Sequence, residues 1–363
     1  MKIEMILPSL AAAGMEVMVA RLVRKLAARG HDVGVTCIVE KGILAPELEA
    51  AGIRVSLPGA QGLVNPAWLM RLGAHLKSLA PDVVHIHSGA WFKGVMASRK
   101  AGISRVVYTA HGFIASEARI ETVLNRIAAP LTNHVVSVSE HLAEVLKARG
   151  LAGRDLSIIA NGIDLALFKP GSDAREIRRR FGIGEATLLV GTVARLEPIK
   201  NQAMLIDGIA QTRAKGVDCA VVLIGDGALR ADLAAQAQRL GVSGHVHFWG
   251  LERNVARLYP ELDVFALTSD AEGTSISLLE AMASGVCPVA THVGGNPAVV
   301  GDAGVLVGVK RPDALADAFA ALAADKGRRA ALGRAARAHV AARFSDEAML
   351  DAYERVYEKC VRS

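Results

Sequence analysis

Short apolar runs alternate along the chain with segments whose apolar residues recur at helical spacing. The runs are rich in Val and Ile and mostly lack strict alternation, which is typical of strands buried on both faces of a sheet. Residues 15–29 form the clearest predicted helix, with apolar residues on one face and Gly30 directly after it as a C-terminal cap. Alternating strands and helices predict parallel sheets that are covered by helices on both faces.

Two series of strands are predicted. The strands of the first series are expected at 3–7, 33–39, 54–57, 83–87, 106–109, 135–138 and 157–159. Those of the second series are expected at 188–193, 220–224, 246–249, 264–267, 288–290 and 305–307, with helices such as 228–240 and 277–284 between them. Turn chemistry at 161–164 and linker composition at 170–173 place a hinge near 165–175. The predicted fold is α/β: two doubly wound Rossmann-like domains, 1–168 and 169–345, followed by a helical segment, 346–363.

Composition narrows the function classes. The chain has 363 residues, of which 52% are hydrophobic and 21% charged, and this excludes a disordered chain and a collagen-like fibre. The net charge is +6, but the Lys and Arg residues are dispersed and only 4% of residues are aromatic, so no nucleic-acid partner is expected. Four scattered cysteines form no CxxC pair, and this argues against a zinc ribbon and favours a reduced compartment.

The location expected from the sequence is cytoplasmic. The N-terminal residues MKIEMILPSL are too short and too soon polar for a signal peptide. No uncharged run of about 20 apolar residues is present, so no membrane-spanning helix is expected.

Three places in the first domain carry candidate chemistry. Gly14 precedes the first helix, whose N terminus favours a phosphate, although one glycine does not complete GxGxxG and a tight turn explains it equally well. His85 and His87 point to one face of a strand; packing at the strand end is favoured over zinc, because no further ligand is paired with them. His111 follows a strand directly, where it can bind a hydroxyl or phosphate, move a proton, or serve a structural role.

In the second domain, Arg195 and Lys200 follow the strand 188–193 at its carboxyl end. Two cations at this position suit a diphosphate, whose developing charge they can neutralise in a transition state. A solvated surface pair is the alternative.

Residues 270–285 form the most specific motif. Ser275 is a candidate N-cap, which leaves the N–H groups of Ile276 and Ser277 to bind phosphate oxygens. Glu272 in the loop and Glu280 in the helix can accept hydrogen bonds from a polyhydroxylated ligand. Their use as paired acid and base is less favoured, because the helix N terminus keeps Glu280 ionised.

The ordered set of motifs resembles the retaining glycosyltransferases of family 4, which have the GT-B architecture of two Rossmann-like domains facing a central cleft. EGTSISLLEAMASG matches the family's Glu-x7-Glu motif as Glu272 and Glu280, and GTVARLEPIKN matches its Arg…Lys motif. Characteristic segments also match in the expected order, and these are VVHIHS, YTAHGF, SVSEHL, SIIANGID and LIGDGALR. The resemblance covers nearly the whole chain and implies that the C-terminal helix packs back on the N-terminal domain.

The resemblance implies a role for each matching residue. Arg195 and Lys200 would bind the donor diphosphate, Glu280 the ribose, and Glu272 the hydroxyls of the transferred sugar. His111 would lie near that sugar. The implied catalytic residues are Glu272, His111, Arg195 and Lys200, with no metal ligand among them. The implied substrate-binding residues are Gly14, which lets the N-terminal domain close on the diphosphate, Arg195, Lys200, Leu251 beside the base, Glu272, Ser275, Ile276, Ser277 and Glu280.

Three positions depart from the family pattern. Ala13-Gly14 stands where Gly-Gly is frequent, and Ala resists a positive φ. Thr274-Ser275 replaces a frequent Phe-Gly, which leaves the donor sugar open. Ala298 replaces a frequent Glu with little expected chemical consequence.

The implied activity is retaining, metal-independent hexosyl transfer from a nucleotide sugar, with a UDP-sugar favoured. The acceptor is expected to be a hydroxyl of a saccharide or lipid-linked saccharide, in cell-surface polysaccharide or glycolipid synthesis, and no cofactor is expected. A GT-B-fold sugar-nucleotide epimerase is the alternative. The stretch 117–126 with Lys147 and Arg149 suits peripheral docking on an anionic membrane at its inner face, and an ordinary solvated surface explains it equally well.

Overall fold

The computed structural model describes residues 1–11, 14–59, 66–112, 119–171 and 175–362, without the side chain of Arg119. Several predicted features therefore lie partly outside the described residues. They are residues 12–13 of the first loop, Phe113 of the YTAHGF segment, residues 117–118 of the basic and apolar stretch, and residues 172–173 of the linker. The chain forms two compact units, Met1–Gly162 with Asp346–Ser363, and Ile163–Ser345.

The N-terminal unit is built on a seven-stranded parallel sheet with the order β3-β2-β1-β4-β5-β6-β7. Its strands are β1 Lys2–Leu7, β2 Asp32–Cys37, β3 Arg54–Ser56, β4 Val83–His87, β5 Val106–Ala110, β6 His134–Ser137 and β7 Leu156–Ile158. The helices around it are α1 Gly14–Ala28, α2 Ala45–Ala50, α3 Ala67–Leu79, α4 Trp91–Lys100, α5 Arg119–Ala128 and α6 Glu140–Ala148.

The C-terminal unit is built on a six-stranded parallel sheet with the order β10-β9-β8-β11-β12-β13. Its strands are β8 Leu188–Val193, β9 Cys219–Ile224, β10 Val246–Gly250, β11 Val264–Leu267, β12 Cys287–Thr291 and β13 Val305–Val307. Its helices are α7 Glu176–Phe181, α8 Gln202–Ala214, α9 Arg230–Arg239, α10 Ile276–Ala283, α11 Asn296–Val300, α12 Pro312–Ala324 and α13 Lys326–Arg343.

The thirteen strands lie where the apolar runs predict them, with ends that differ by no more than two residues. Every residue of the central strands β4, β5, β9 and β11 is buried. Helices on both faces explain this burial, and they explain why these strands read as continuous apolar runs. In both sheets the strand order reverses beside the first strand of the series, at β1/β4 and at β8/β11, which is where doubly wound sheets bind ligands.

The two units divide after Gly162, before the boundary expected at residue 168. Ile163 is fully buried in the core of the C-terminal unit, and its N–H donates to the carbonyl of Phe344 at 2.8 Å. Phe168 packs edge-on against Tyr259, with ring centroids 5.9 Å apart. Residues 163–168 therefore belong to the core of the second unit, a tertiary contact that their turn-like sequence does not reveal.

The last helix, α14 (Asp346–Arg362), belongs to the N-terminal unit. It buries Tyr353 and Tyr357 completely. Ion pairs join it to α1, since Arg29 pairs with Asp351 at 2.6 Å and Arg21 pairs with the buried Asp346 at 3.1 Å. The helix thus completes the unit with both a buried aromatic face and an ion-paired edge.

Candidate functional site

Loops at the carboxyl edge of the C-terminal sheet contain the predicted site residues of that unit. They are Arg195 and Lys200 after β8, Leu251 after β10, Glu272 after β11, and Ser275, Ile276, Ser277 and Glu280 at the start of α10 and within it. Parallel strands bring these loops to one edge although up to 85 residues separate them along the chain. Leu251 is 68% exposed there.

Glu272 and Lys200 form an ion pair within this edge. The Lys200 Nζ donates to Glu272 Oε1 at 2.6 Å, and the hydroxyl of Ser269 donates to the same oxygen at 2.6 Å. The Glu272 side chain is only 9% exposed, so this charge is compensated in a largely buried setting. Lys200 and Glu272 belong to two different sequence motifs, and neither motif predicts their direct contact.

Arg195 has a different environment from Lys200. Its guanidinium pairs with Glu197 at 2.6 Å and its side chain is 61% exposed. Its backbone carbonyl accepts a hydrogen bond from the Gln202 side chain at 2.9 Å. The loop is thus fixed through its backbone, while the guanidinium stays at the surface where it can turn toward a ligand.

The N terminus of α10 has the cap that the sequence predicts. The Ser275 hydroxyl accepts from the N–H of Leu278 at 3.4 Å. The N–H groups of Ile276 and Ser277 have no acceptor within the helix, and both residues are only partly buried. Such an end attracts an anion through its free N–H groups and the helix dipole.

Backbone contacts hold the loop that carries Glu272. The Asp270 N–H donates to the Ile199 carbonyl at 2.9 Å, and the Asn201 amide donates to Asp270 Oδ1 at 2.9 Å. On the other side, a Cβ at Gly294 would lie 1.8 Å from the Glu272 carbonyl oxygen, and Gly294 has a φ of +55°. Only glycine fits this position, and it allows backbone to pack against the loop on the side opposite the Asp270 contacts.

Glu280 is held from within the core. Its side chain is 7% exposed, and the fully buried Tyr259 donates its hydroxyl to Glu280 Oε2 at 2.6 Å. Burial and the neighbouring carboxylate raise the pKa of Tyr259 well above its usual value, so Tyr259 remains protonated and donates. Tyr259 has no signal in the sequence, because it lies 21 residues upstream of Glu280 and belongs to no motif.

The GDGALR segment that follows β9 brings two more loops together. A Cβ at Gly225 would lie 2.1 Å from the Ala194 carbonyl oxygen, and one at Gly227 would lie 2.5 Å from that of Leu196. The Leu196 N–H donates to the Asp226 carbonyl at 3.0 Å. These glycines therefore permit backbone packing beside Arg195, which explains two glycines of an incomplete dinucleotide motif.

The carboxyl edge of the N-terminal sheet contains Gly14 and a histidine cluster, defined as His85, His87 and His111. Gly14 is the exposed first residue of α1. His87 Nδ1 and His111 Nε2 share a hydrogen bond of 2.9 Å, and the His111 N–H donates to the Ser88 hydroxyl at 3.0 Å. In the described part of the chain, His87 Nε2 and His111 Nδ1 have no partner.

His85 connects this cluster to α14. Its Nδ1 lies 2.7 Å from the Tyr357 hydroxyl, and its Nε2 lies 2.7 Å from the Thr109 hydroxyl. Its ring is 4.2 Å from that of His87, centroid to centroid, as expected for residues on one face of a strand. Within the described residues, no group of three or more His, Cys, Asp or Glu side chains is placed to hold a metal ion.

All three histidines favour the neutral form. Burial lowers the pKa of His85 and of His111 to about 3, and it lowers the pKa of His87 well below its usual value. A neutral pair of imidazoles shares one proton across its hydrogen bond, so the tautomer of His87 fixes that of His111. The outer Nδ1 of His111 is accordingly a donor when His87 donates and an acceptor when His87 accepts.

Two family models match the chain in succession. Residues 12–167 match Glycosyltransferase Family 4, and residues 173–339 match Glycosyl transferases group 1. A GDP-mannose-dependent alpha-(1-6)-phosphatidylinositol monomannoside mannosyltransferase of Mycobacterium tuberculosis is 32% identical over 262 residues, which cover 68% of this chain and 68% of that protein. The chain belongs to the family 4 glycosyltransferases.

A second relative covers more of this glycosyltransferase. The D-inositol 3-phosphate glycosyltransferase of Segniliparus rotundus is 30% identical over 300 residues, which cover 76% of this chain. The matched region is 66% of that relative's length.

Solved structures share the GT-B fold. The Anabaena protein HepE in complex with UDP has a TM-score of 0.87 at 23% identity and covers 99% of this chain and 100% of its own. WaaG, a glycosyltransferase involved in lipopolysaccharide biosynthesis, has a TM-score of 0.75 at 19% identity and covers 98% of this chain and 99% of its own. The expected two-domain Rossmann-like architecture is therefore confirmed.

Among the helices that the structure describes, none combines the length and apolarity needed to cross a bilayer.

The histidine cluster predicts a stability that falls with acidity. Because the folded-state pKa values of these histidines lie below the usual 6.5, the unfolded chain binds more protons between pH 6.5 and about 3. The contribution of these histidines to the free energy of unfolding is fully present above pH 6.5. It is lost as the pH falls, by up to about 1.4 kcal/mol per pH unit for each histidine. Urea unfolding between pH 7.5 and pH 5 measures this slope.

His111→Gln removes one titrating group while its side-chain amide can still meet His87. The slope of the unfolding free energy against pH should therefore decrease by up to about 1.4 kcal/mol per pH unit, the value for one proton. His141→Gln, a change at an exposed residue of α6, should leave the slope as in the wild type. Parallel curves for the wild type and His111→Gln would contradict the assignment.

Proposed function

We propose that the chain transfers a hexose from a UDP-sugar to a hydroxyl of a saccharide or lipid-linked saccharide, with retention at the anomeric carbon and without a divalent metal ion. The Lys200–Glu272 pair beside the free N terminus of α10 is the observation that carries the proposal. Family membership supports the reaction class.

Binding of the donor diphosphate begins with an exchange of partners. The Lys200 ammonium leaves Glu272 for a phosphate oxygen, and Arg195 turns from Glu197 to the same group. The N–H groups of Ile276 and Ser277 complete the neutralisation of the diphosphate. Glu272 is then released to accept hydrogen bonds from hydroxyls of the transferred sugar.

The nucleoside lies along the same edge. Glu280 accepts hydrogen bonds from the ribose hydroxyls, and Tyr259 holds its carboxylate in place from the core side. Leu251 offers an apolar contact to the base. The relatives differ in their base: the HepE structures contain UDP or UDP-glucose, whereas the M. tuberculosis relative is GDP-mannose-dependent.

Transfer takes place at the front face of the sugar. The bond from the anomeric carbon to the phosphate oxygen breaks, and the bond to the acceptor oxygen forms on the same face. The proton of the acceptor hydroxyl passes to the leaving phosphate oxygen. Arg195, Lys200 and the end of α10 stabilise the charge on the leaving diphosphate, in place of a metal ion. His111 binds a substrate hydroxyl through Nδ1, with its tautomer set by His87.

Isothermal titration with UDP tests the nucleotide site. Glu280→Gln should weaken UDP binding by about tenfold or more, because hydrogen bonds to a charged acceptor are lost. Tyr259→Phe keeps the carboxylate but releases it, so a smaller loss is expected. Asp232→Asn, a charge change at an exposed residue of α9, is the matched control. Equal UDP affinity in Glu280→Gln and the control would refute the site, and tighter GDP binding would refute the UDP preference.

Donor hydrolysis observed by proton NMR tests the stereochemistry, with water as the acceptor. An α-linked UDP-sugar should first release the α-anomer, before mutarotation, and the rate should be unchanged by EDTA. Glu272→Gln should lower kcat without weakening UDP binding, because Glu272 competes with the diphosphate for Lys200. Initial release of the β-anomer would overturn retention, and loss of the rate in EDTA would overturn metal independence. Interconversion of the donor sugar without an acceptor would instead indicate an epimerase.

We also propose that α5 makes peripheral contact with an anionic membrane at its inner face. Ile120, Val123 and Ile127 are 62%, 54% and 48% exposed, and their spacing places them on one side of the helix. The exposed cations Arg126 and Lys147 lie on α5 and the following helix α6. An apolar stripe next to positive charge is the pattern of a helix that lies in the membrane interface.

Co-sedimentation with vesicles of phosphatidylglycerol and phosphatidylcholine tests this contact. Val123→Asp should weaken vesicle binding by about tenfold, because an exposed apolar side chain that would enter the membrane is replaced by a charge that anionic lipid repels. Leu240→Asp, at a comparably exposed apolar residue after α9, should bind as the wild type. Equal binding by both variants, or no binding by the wild type, would remove the proposal.

A further inference from the structure

A polar cavity lies at the amino-terminal edge of the N-terminal sheet, opposite the carboxyl edge that contains the histidine cluster. Its volume is about 250 Å³. Three arginines line it, together with Ser104, Asn133 and the end of α14. Arg99 comes from the last turn of α4, Arg105 directly precedes β5, and Arg154 lies just before β7. We call this cavity the arginine pocket. Because Arg105 precedes β5 and His111 follows it, the pocket and the histidine cluster lie at opposite ends of one strand.

The three guanidinium charges of the arginine pocket are not neutralised by the protein. Arg99 donates to the Leu131 carbonyl at 2.6 Å, Arg105 to the Asp82 carbonyl at 3.3 Å, and Arg154 to the Pro130 carbonyl at 3.3 Å. Carbonyl groups orient these side chains but carry no net charge. No Asp or Glu lines the pocket, and within the described residues none of the three arginines forms an ion pair.

Asp155 directly follows Arg154, and Asp82 accepts from Arg105 through its backbone carbonyl, but the carboxylates of both have other partners. Asp155 pairs with Lys359 and lies 3.3 Å from His134 Nδ1. Asp82 accepts the backbone N–H of Lys2 at 2.7 Å. The positive charge is therefore left for a group from outside the chain.

Arg99 is destabilised as a cation by its burial and by repulsion from Arg154. Desolvation and the neighbouring Arg154 lower the pKa of the Arg99 guanidinium from its usual value. Its buried Nε has no hydrogen-bond partner among the described residues. An anion in the pocket would reduce the repulsion between the guanidinium groups.

We infer that the arginine pocket binds a phosphate group, either as a soluble phosphate or as a phospholipid headgroup. Guanidinium groups from three separate elements can reach different oxygens of a tetrahedral anion, whereas a carboxylate offers only two. The Ser104 hydroxyl adds a donor. The amide oxygen of Asn133 accepts from the Val106 N–H at 3.0 Å, so its NH₂ group is the part available to a ligand. This site is separate from the diphosphate site of the C-terminal unit.

Isothermal titration of the full chain with inorganic phosphate tests the inference at low ionic strength. Arg154→Gln and Arg105→Gln, both at exposed residues, should weaken phosphate binding by about tenfold or more. Arg343→Gln, at an exposed arginine of α13, is the control for loss of one positive charge. Circular dichroism checks that each variant is folded.

Lys200→Gln separates this pocket from the proposed diphosphate site. Phosphate affinity that survives Lys200→Gln but falls in the two pocket variants would support the inference. Affinity that is lost in Lys200→Gln and kept in Arg154→Gln would overturn it, as would equal affinity in all variants. The result is independent of UDP binding, so failure of the proposed function would not decide it.

Vesicles distinguish the two sources of the phosphate group. Wild type and Arg154→Gln would be compared on phosphatidic acid vesicles, with inorganic phosphate as a competitor. Binding that Arg154→Gln and inorganic phosphate both reduce assigns the headgroup to the pocket. Titration with phosphate but unchanged sedimentation in Arg154→Gln assigns a soluble phosphate. Absence of both effects would refute the site.

Discussion

Backbone packed directly against backbone is the constraint on which the carboxyl edge of the C-terminal sheet depends. The space for a side chain at Gly225 is taken by the Ala194 carbonyl, and that at Gly294 is taken by the Glu272 carbonyl. These contacts fix the loop after β9 against the loop after β8, and the loop after β12 against the loop after β11. A methyl group at either position would separate two loops and move Glu272 or Arg195 with them.

The Lys200–Glu272 ion pair places a cation and an anion at this edge, and each can exchange its partner for a ligand. While the two are paired, the Lys200 ammonium compensates the charge of the largely buried Glu272 carboxylate. In the proposed donor complex, a diphosphate would replace Glu272 as the partner of Lys200, and Glu272 would accept from sugar hydroxyls instead. Binding of the phosphates and recognition of the sugar would thus be coupled through one ammonium group. Glu280 differs, because Tyr259 supplies a permanent donor from the core.

Sequence patterns predicted the strands, both sheets and the Ser275 cap, because burial on two faces and helix capping are local properties of the chain. They also placed Arg195, Glu272 and Glu280 at one sheet edge, since parallel strands end together. Contacts between distant segments had no local signal: the Tyr259 bond to Glu280 is one case, and the attachment of Ile163 to the second core is another. Both depend on how the segments pack in three dimensions.

The carboxyl and amino-terminal edges of the N-terminal sheet differ in charge. At the carboxyl edge, burial keeps His85, His87 and His111 neutral, so that edge offers hydrogen bonds without net charge. Several arginines elsewhere in the unit pair with carboxylates, as Arg29 does with Asp351 and Glu347, whereas others, such as Arg126, donate to a backbone carbonyl. The arginine pocket differs in bringing three guanidinium groups without an ion pair among the described residues around one cavity. Three unmatched guanidinium groups around one cavity are therefore better explained by an anionic ligand than by the stability of the fold.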